Sequence, residues 1–170
     1  FPGIIPTSGW GYGIGPAWDS AYLLIPWYLY EYCGDTRILA EHYEGMKRYV
    51  DYLTSKAEGH IVSFGLGDWV PAKSKTPSNI TSTGYYYVDA VIVSKVAALL
   101  GNEGDAKAYA ELAEQIKKAF NERFYNAETG VYGRGNQTTL ACALYQGFVP
   151  KSEVQKVAAN LVKAVEDRRE

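Results

Sequence analysis

Cysteine, histidine and long hydrophobic runs are scarce in this sequence. Its 170 residues include two cysteines and two histidines. His42 and His60 lack partners at the spacing of a zinc site or a nucleophilic triad. Cys33 and Cys142 lie in or beside apolar stretches and match no metal or redox motif, so we expect buried thiols. The sequence therefore predicts no metal site and no cofactor.

An excess of charge of one sign is also missing. The net charge is -2, from 17 basic and 19 acidic residues that are interspersed along the chain. Without a basic patch, binding to nucleic acid or to an anionic membrane is not expected. No signal peptide or membrane-spanning run is present, and the chain begins at Phe1 without a Met, so we expect an internal piece of a longer protein. The compartment stays open, with a periplasmic or secreted location favoured.

Aromatic residues, by contrast, are plentiful. Hydrophobic residues make up 47% of the chain, which is enough for one domain with a real core, and there are 15 Tyr and 4 Trp. Amphipathic rings of this kind suit sites that hold partly wet, polar ligands.

Helical patterns alternate between two kinds along the chain. Apolar stretches over Ser20–Cys33, Tyr85–Leu100 and Gln137–Phe148 predict inner helices, and each is followed by a segment with one apolar stripe and one charged face. The striped segments, which predict outer helices, span 36–58, 103–124 and 151–168. Asp19 is a candidate N-cap of the first inner helix, and Gly34 is its expected stop. Only Glu31 is charged within this helix, so we expect it to be buried on most sides. No strand pattern competes convincingly.

Glycine- and aromatic-rich segments precede the three inner helices, at 1–18, 59–84 and 129–136. They should gather at one end of the array, which makes that end the candidate binding face. Three inner/outer hairpins predict an all-α fold that is half of a toroid of helical hairpins. Half a toroid would expose its apolar inner helices unless a missing half or another copy covers them.

Several short motifs then become recognisable in order and spacing. Together they resemble the catalytic (α/α)6 barrel of bacterial α-L-rhamnosidases, glycoside hydrolase family 78, over essentially the whole chain. The motifs are Gly15-Pro16-Ala17-Trp18-Asp19, Ile25-Pro26-Trp27, Gly34-Asp35-Thr36-Arg37-Ile38-Leu39, Met46-Lys47-Arg48-Tyr49-Val50-Asp51-Tyr52-Leu53 and Gly67-Asp68-Trp69.

The resemblance implies both a fold and an activity. Residues 1–170 would be part of a single (α/α)6-barrel catalytic domain, with 1–18 and 59–84 as pocket-forming loops. The family removes terminal α-L-rhamnose with inversion, using a Glu acid upstream and a Glu base downstream of this region. This chain would then contain no catalytic residue and be inactive alone. Its partners would be a rhamnoside substrate and the remainder of the parent polypeptide.

The same resemblance places Trp18 and Trp69 as rings that line the rhamnose site, because an indole packs well on the methyl and C–H edges of this sugar. Trp10 is a candidate for a neighbouring subsite, although loop packing explains it equally well. Asn136, at the start of the last inner helix, is either a ligand donor or a helix cap.

Three further polar residues are candidate sugar contacts. Asp68 is included as the neighbour of Trp69. Asp19 can bind a sugar hydroxyl, although an N-cap role is the stronger explanation. Tyr85 begins a run of three tyrosines, of which at least one should face the pocket while the others face the core.

Two alternatives stay open at this point. The first is another (α/α)6 carbohydrate hydrolase or lyase with a different specificity. The second is a non-catalytic helical binding or scaffold domain whose aromatic residues serve packing or a protein partner. If the chain were an autonomous hydrolase, Asp19 and Asp68 would be the first carboxylate pair to test.

Overall fold

The structure is a computed structural model that describes residues 14–68, 70–71 and 75–168. Helices dominate this part of the chain, and none of them is long and apolar enough to cross a membrane. They are α1 (Pro16–Asp19), α2 (Ala21–Cys33), α3 (Arg37–Lys56), α4 (Ser78–Leu99), α5 (Glu103–Phe124), α6 (Gln137–Tyr145) and α7 (Val154–Arg168), the last preceded by a 3₁₀ turn (Lys151–Glu153).

Three helical hairpins follow one another, formed by α2 with α3, α4 with α5, and α6 with α7. The apolar helices are neighbours, since α2 contacts α4 and α4 contacts α6, while each amphipathic helix packs on the outside of its own hairpin. This arrangement confirms the predicted all-α, partial (α/α)6 toroid with an inner and an outer layer.

The outer helices bury one face each because their apolar residues recur every three or four positions. In α3 the buried side chains include Leu39, Met46, Val50 and Leu53, which join residues of α4 and α5 in the main core. A second core forms where α5, α6 and the last loop meet, and it contains the stacked rings of Phe120 and Phe148 with centroids 3.8 Å apart.

The second inner helix is longer than the sequence indicates. It begins at Ser78 rather than at Tyr85, so the last part of the expected 59–84 loop is helical. Gly84, which suggests a break, lies inside the helix. A Cβ built at Gly84 would lie 1.8 Å from Oε1 of Gln146, so the missing side chain lets the end of α6 approach α4 closely.

Three further expectations prove wrong. The helix α2 is not buried on most sides, because Leu23 and Pro26 are buried whereas Ile25 is 59% and Tyr32 88% exposed. Cys33, at the end of α2, is exposed for the same reason: no described element covers this side of the helix. A short antiparallel hairpin of β1 (Tyr125–Asn126) and β2 (Val131–Tyr132) also joins α5 to the loop before α6, where no strand is expected.

Candidate functional site

The loops that precede the inner helices meet at one end of the array. The backbone N–H of Leu66 donates to the carbonyl of Ile14 at 3.1 Å, which joins the first loop to the second. Beside this bond Gly15 lies so close to Gly65 that a Cβ on Gly15 would be 2.5 Å from the Gly65 Cα. The hydroxyl of Ser82 on α4 donates to the carbonyl of Phe64 at 2.8 Å and fixes the second loop on the helix.

A chain of polar contacts ties Asp68 to the third loop. A carboxylate oxygen of Asp68 accepts the backbone N–H of Thr76 at 3.3 Å. The Thr76 hydroxyl in turn accepts a hydrogen bond of 2.7 Å from the Asn136 amide, and Asn136 accepts one from the Thr139 hydroxyl on α6. Segments that are far apart in sequence are thus held together at the N-terminal end of the inner helices.

The sequence predicts Asp19 as the N-cap of α2, but Asp19 does not have this position in the structure. It is the last residue of α1, and the N-cap of α2 is Ser20. One Asp19 carboxylate oxygen accepts the backbone N–H of Gly15 at 3.3 Å, so Asp19 stabilises the start of α1 instead. The same four-residue helix carries Trp18, whose side chain is half-buried.

Buried polar groups from three helices lie beneath α1. The hydroxyl of Ser20 donates to Asp89 at 2.6 Å, and both residues are fully buried, while Asp19 and Tyr49 are nearly so. Burial raises the pKa of Asp89 well above the usual value, and the Asp19 charge adds to this shift. Burial likewise raises the pKa of Asp19 and that of Tyr49, the latter also because both carboxyl groups are near.

The three consecutive tyrosines of α4 have different surroundings. Tyr86 is fully buried and shares a hydrogen bond of 2.8 Å with Thr54, and the ring of Tyr87 packs against that of Phe148 at a tilt, with 4.8 Å between the centroids. Tyr85 is half-buried, and the pKa of its hydroxyl is raised by burial and by the nearby Cys142 thiol. Tyr87 is half-buried too, but its ring packs on Phe148, so Tyr85 stays the candidate of the three for the pocket.

Cys142 lies on α6 at this same end of the molecule. Its side chain is half-buried, which agrees better with the expected buried thiol than Cys33 does. Burial raises the pKa of the Cys142 thiol to about 11, and the charge of Asp68 contributes to the shift. The raised pKa keeps this thiol protonated at neutral pH.

Two of the candidate sugar contacts, Trp10 and Trp69, lie outside the described residues. Among the others, the structure brings Trp18 and Asp19 together on α1 and places Asp68 and Tyr85 on the neighbouring loop and helix. Asn136 proves to be a structural tie between the loops. The sugar-binding role of Trp10, Trp18, Asp19, Asp68, Trp69 and Tyr85 stays a prediction.

The two carboxylates that the sequence suggests testing as a pair both contact the loop backbone. Asp19 and Asp68 each use one oxygen to hold a backbone N–H of their own loop. Within the ranges that the structure describes, no cluster of three His, Cys, Asp or Glu side chains can hold a metal ion.

Sequence reasoning missed the buried partners of α1, namely Ser20, Tyr49 and Asp89. One signal was present, since Asp89 and Lys95 are the only charged residues in the apolar run 85–100. A lone carboxyl group inside an apolar helix needs a partner, because burying it unpaired is costly. The sequence could not reveal that the partner is Ser20, which is 69 positions away.

Inner and outer helical hairpins, with loops gathered at one end, define the (α/α)6 class of carbohydrate-active enzymes. The whole chain, residues 1–170, matches the model of the bacterial alpha-L-rhamnosidase 6 hairpin glycosidase domain. The chain belongs to this family.

Solved structures and curated proteins agree with this assignment. An alpha-L-rhamnosidase from Dictyoglumus thermophilum is 42% identical with a TM-score of 0.87, the match covering 96% of this chain and 19% of that one. The Streptomyces avermitilis alpha-L-rhamnosidase complexed with L-rhamnose is 27% identical with a TM-score of 0.88, covering 96% and 16%. An alpha-L-rhamnosidase from Alteromonas sp. (strain LOR) is 29% identical over 95% of this chain. The chain spans about a fifth of that relative, 19% of its length.

Proposed function

We propose that this chain forms the sugar-lining part of the (α/α)6 barrel of an α-L-rhamnosidase, which removes terminal α-L-rhamnose from glycosides or polysaccharides with inversion. The observation that carries the proposal is the match of the whole chain to the six-hairpin glycosidase family. Three of six hairpins are present in the described part, and the remaining ones would come from the rest of a longer polypeptide.

The gathered loops support a sugar pocket at the N-terminal end of the inner helices. Trp18 on α1 and Trp69 beside Asp68 would supply apolar ring faces for the sugar, and Tyr85 would contribute a hydroxyl from α4. Asp19 and Asp68 would act on the pocket chiefly by holding their loops, as their bonds to backbone N–H groups suggest. Trp10 would line an adjoining subsite.

The chemistry itself would come from carboxyl groups outside this chain. An inverting glycosidase needs an acid and a base roughly 6.5–9.5 Å apart, with a water molecule between the sugar and the base. Asp19 is almost completely buried and Asp68 is tied to Thr76, so neither is placed as such a group. We therefore assign no catalytic residue to residues 1–170.

Hydrolysis of an aryl α-L-rhamnoside tests this proposal. The full-length polypeptide should release the aryl group, whereas the 170-residue chain alone should not. In the full-length enzyme, Trp18→Ala and Trp69→Ala should each raise KM by about tenfold, because an aromatic contact with the sugar is lost. The product anomer, followed by NMR, should show inversion.

Aryl glycosides of other sugars provide the control. Activity on an aryl α-L-fucoside or α-D-mannoside without activity on the rhamnoside would favour a different (α/α)6 hydrolase. Complete lack of glycosidase activity in the full-length polypeptide, with sugar binding retained, would favour a binding domain. Turnover of the rhamnoside by the 170-residue chain would show that its own carboxylates do the chemistry.

A further inference from the structure

Ser20 links the start of α2 to the middle of α4. As the N-cap residue it would ordinarily accept a backbone N–H of its own helix, but it makes no such bond. Its hydroxyl instead donates to Asp89 at 2.6 Å, and both side chains are completely buried. A local helix cap has thus been exchanged for a contact between two inner helices.

Stability alone does not explain a carboxyl group at position 89. Asp89 is completely buried, and its second oxygen has no hydrogen-bond partner within the part of the chain that the structure describes. Buried polar contacts of this kind often stabilise a fold no better than apolar side chains of the same size do. What such a contact does supply is a defined geometry, because a short hydrogen bond fixes the position of both partners.

The segment whose position it fixes is α1. A helix of four residues is too short to be stable by itself, so its orientation depends on what holds its two ends. At the first end Ile14 is bonded to Leu66 and Gly15 lies against Gly65. At the other end Ser20 directly follows Asp19 and is bonded to Asp89. Trp18 lies between these two attachments.

We propose that Asp89 is a positioning residue for the sugar pocket: through Ser20 it fixes the end of α1 and so sets the orientation of Trp18. This inference rests on the proposed function, which makes Trp18 part of the pocket. Asp89 itself does not touch the sugar, since it is fully buried. Its effect is on the affinity for the substrate rather than on the chemical step.

Four variants of the full-length enzyme test the proposal on an aryl α-L-rhamnoside. Ser20→Ala should raise KM about fivefold while kcat stays within about twofold, because a lost hydrogen bond costs roughly 1 kcal/mol and acts before the chemical step. Asp89→Ala should raise KM at least as much. Asp89→Asn retains an oxygen that accepts from Ser20, and its KM should stay within about twofold of the original.

Ser94→Ala is the matched control. Ser94 is also on α4, and its hydroxyl donates to the carbonyl of Ala106 on α5 at 2.7 Å, away from α1. This variant also loses one serine hydrogen bond between two helices, although at a half-buried position, so it controls for the loss of such a bond away from α1. Of the two serine variants, only Ser20→Ala should have a changed KM. Tryptophan fluorescence titrated with L-rhamnose should show the same loss of affinity for Ser20→Ala in the absence of turnover.

The outcomes separate this inference from the proposed function. If the full-length enzyme without any substitution has no rhamnosidase activity, both the proposed function and this inference are wrong. An active enzyme in which Ser20→Ala and Ser94→Ala have the same KM would overturn the positioning role alone. The positioning role would also be overturned if the KM of Asp89→Asn were as high as that of Asp89→Ala. If Asp89→Ala does not fold, the comparison of Ser20→Ala with Ser94→Ala still tests the positioning role.

Discussion

Gly15 is the residue on which the junction of the first and second loops depends. Its φ of 106° lies in the region that favours glycine, and the Gly65 backbone occupies the space that a side chain would need. The position therefore combines two separate requirements, one of backbone conformation and one of close approach. Only glycine meets both.

Gly15→Ala should lower the melting temperature and the affinity of the full-length enzyme for rhamnosides. Backbone strain costs roughly 1–3 kcal/mol here, and the clash with Gly65 adds to it. Gly34→Ala is the control, since Gly34 also has a positive φ, 70°, but open space around it. Thermal melting and KM of both variants check the prediction, and equal effects would show that the contact with Gly65 is unimportant.

Single residues also show where sequence reasoning stops. Gly34 ends α2 in the left-handed conformation, as its place after an apolar run predicts. Asp19 and Ser20 follow the same local rules less well, because Asp89 takes the hydroxyl that would otherwise cap α2. Capping rules consider near neighbours, whereas a contact across 69 positions depends on the packing of the whole fold.

At the level of elements, the contact of α4 with the end of α6 determines how closely two inner helices approach. Gln146 is 9% exposed, and its side chain lies directly over Gly84. Gly84 thus acts as a packing position rather than as a helix break. This is why α4 continues through it and begins at Ser78.

Gly84→Ala should displace the amide end of the Gln146 side chain, which can rotate away from the new methyl group, so the loss of stability should be at most about 1 kcal/mol. Gln146→Ala in the same protein should recover part of this loss, because it removes the overlapping atoms. Gly104→Ala in α5, where a Cβ meets nothing within 4 Å, should cause no loss. Urea unfolding of the single and double variants measures the coupling.

Additivity of the Gly84 and Gln146 substitutions would contradict this account of the helix contact.

The periodicity of apolar residues predicts α3 and α5 well, because an outer helix displays the difference between its two faces in its own sequence. The beginning of α4 could not be predicted in that way. An inner helix is apolar nearly all round, so its ends depend on neighbours that the local sequence does not reveal.

At the level of the whole molecule, one side of the inner layer is open in the described part of the chain. Along α2, Ile25, Leu29 and Tyr32 lie three or four positions apart, hence on one face, and all are substantially exposed. Contiguous apolar surface of this kind usually marks an interface. In the proposed barrel, the remaining hairpins would cover it.

Tyr32→Ser should therefore lower the melting temperature of the full-length enzyme, although Tyr32 is 88% exposed here. Burying an aromatic side chain contributes about 1.5–3 kcal/mol, which the substitution would largely remove. Lys107→Ser on the outer helix α5 is the control, because the Lys107 side chain is 81% exposed and lies on the charged face. Equal melting temperatures for the two variants would mean that α2 stays open in the full-length protein.

The fold class follows from the sequence because three apolar and three amphipathic helices alternate regularly, and the family follows from motifs such as Gly67-Asp68-Trp69. The exposure of α2 is harder to predict. An apolar helix indicates that some partner covers it, but not whether that partner lies within the same 170 residues.

The two thiols of this chain differ enough to be told apart by a chemical reagent. Cys33 is exposed at the last residue of α2, whereas Cys142 is half-buried and its pKa is raised to about 11. Because a maleimide must reach the sulfur and reacts with its thiolate form, a dye at neutral pH should attach mainly to the exposed Cys33 rather than to Cys142. Because α2 begins at the pocket end, Cys33 marks the opposite end of the inner layer. In the proposed barrel the remaining hairpins would cover this side of α2, so loss of labelling at Cys33 would report on assembly of the barrel at a distance from the proposed sugar pocket.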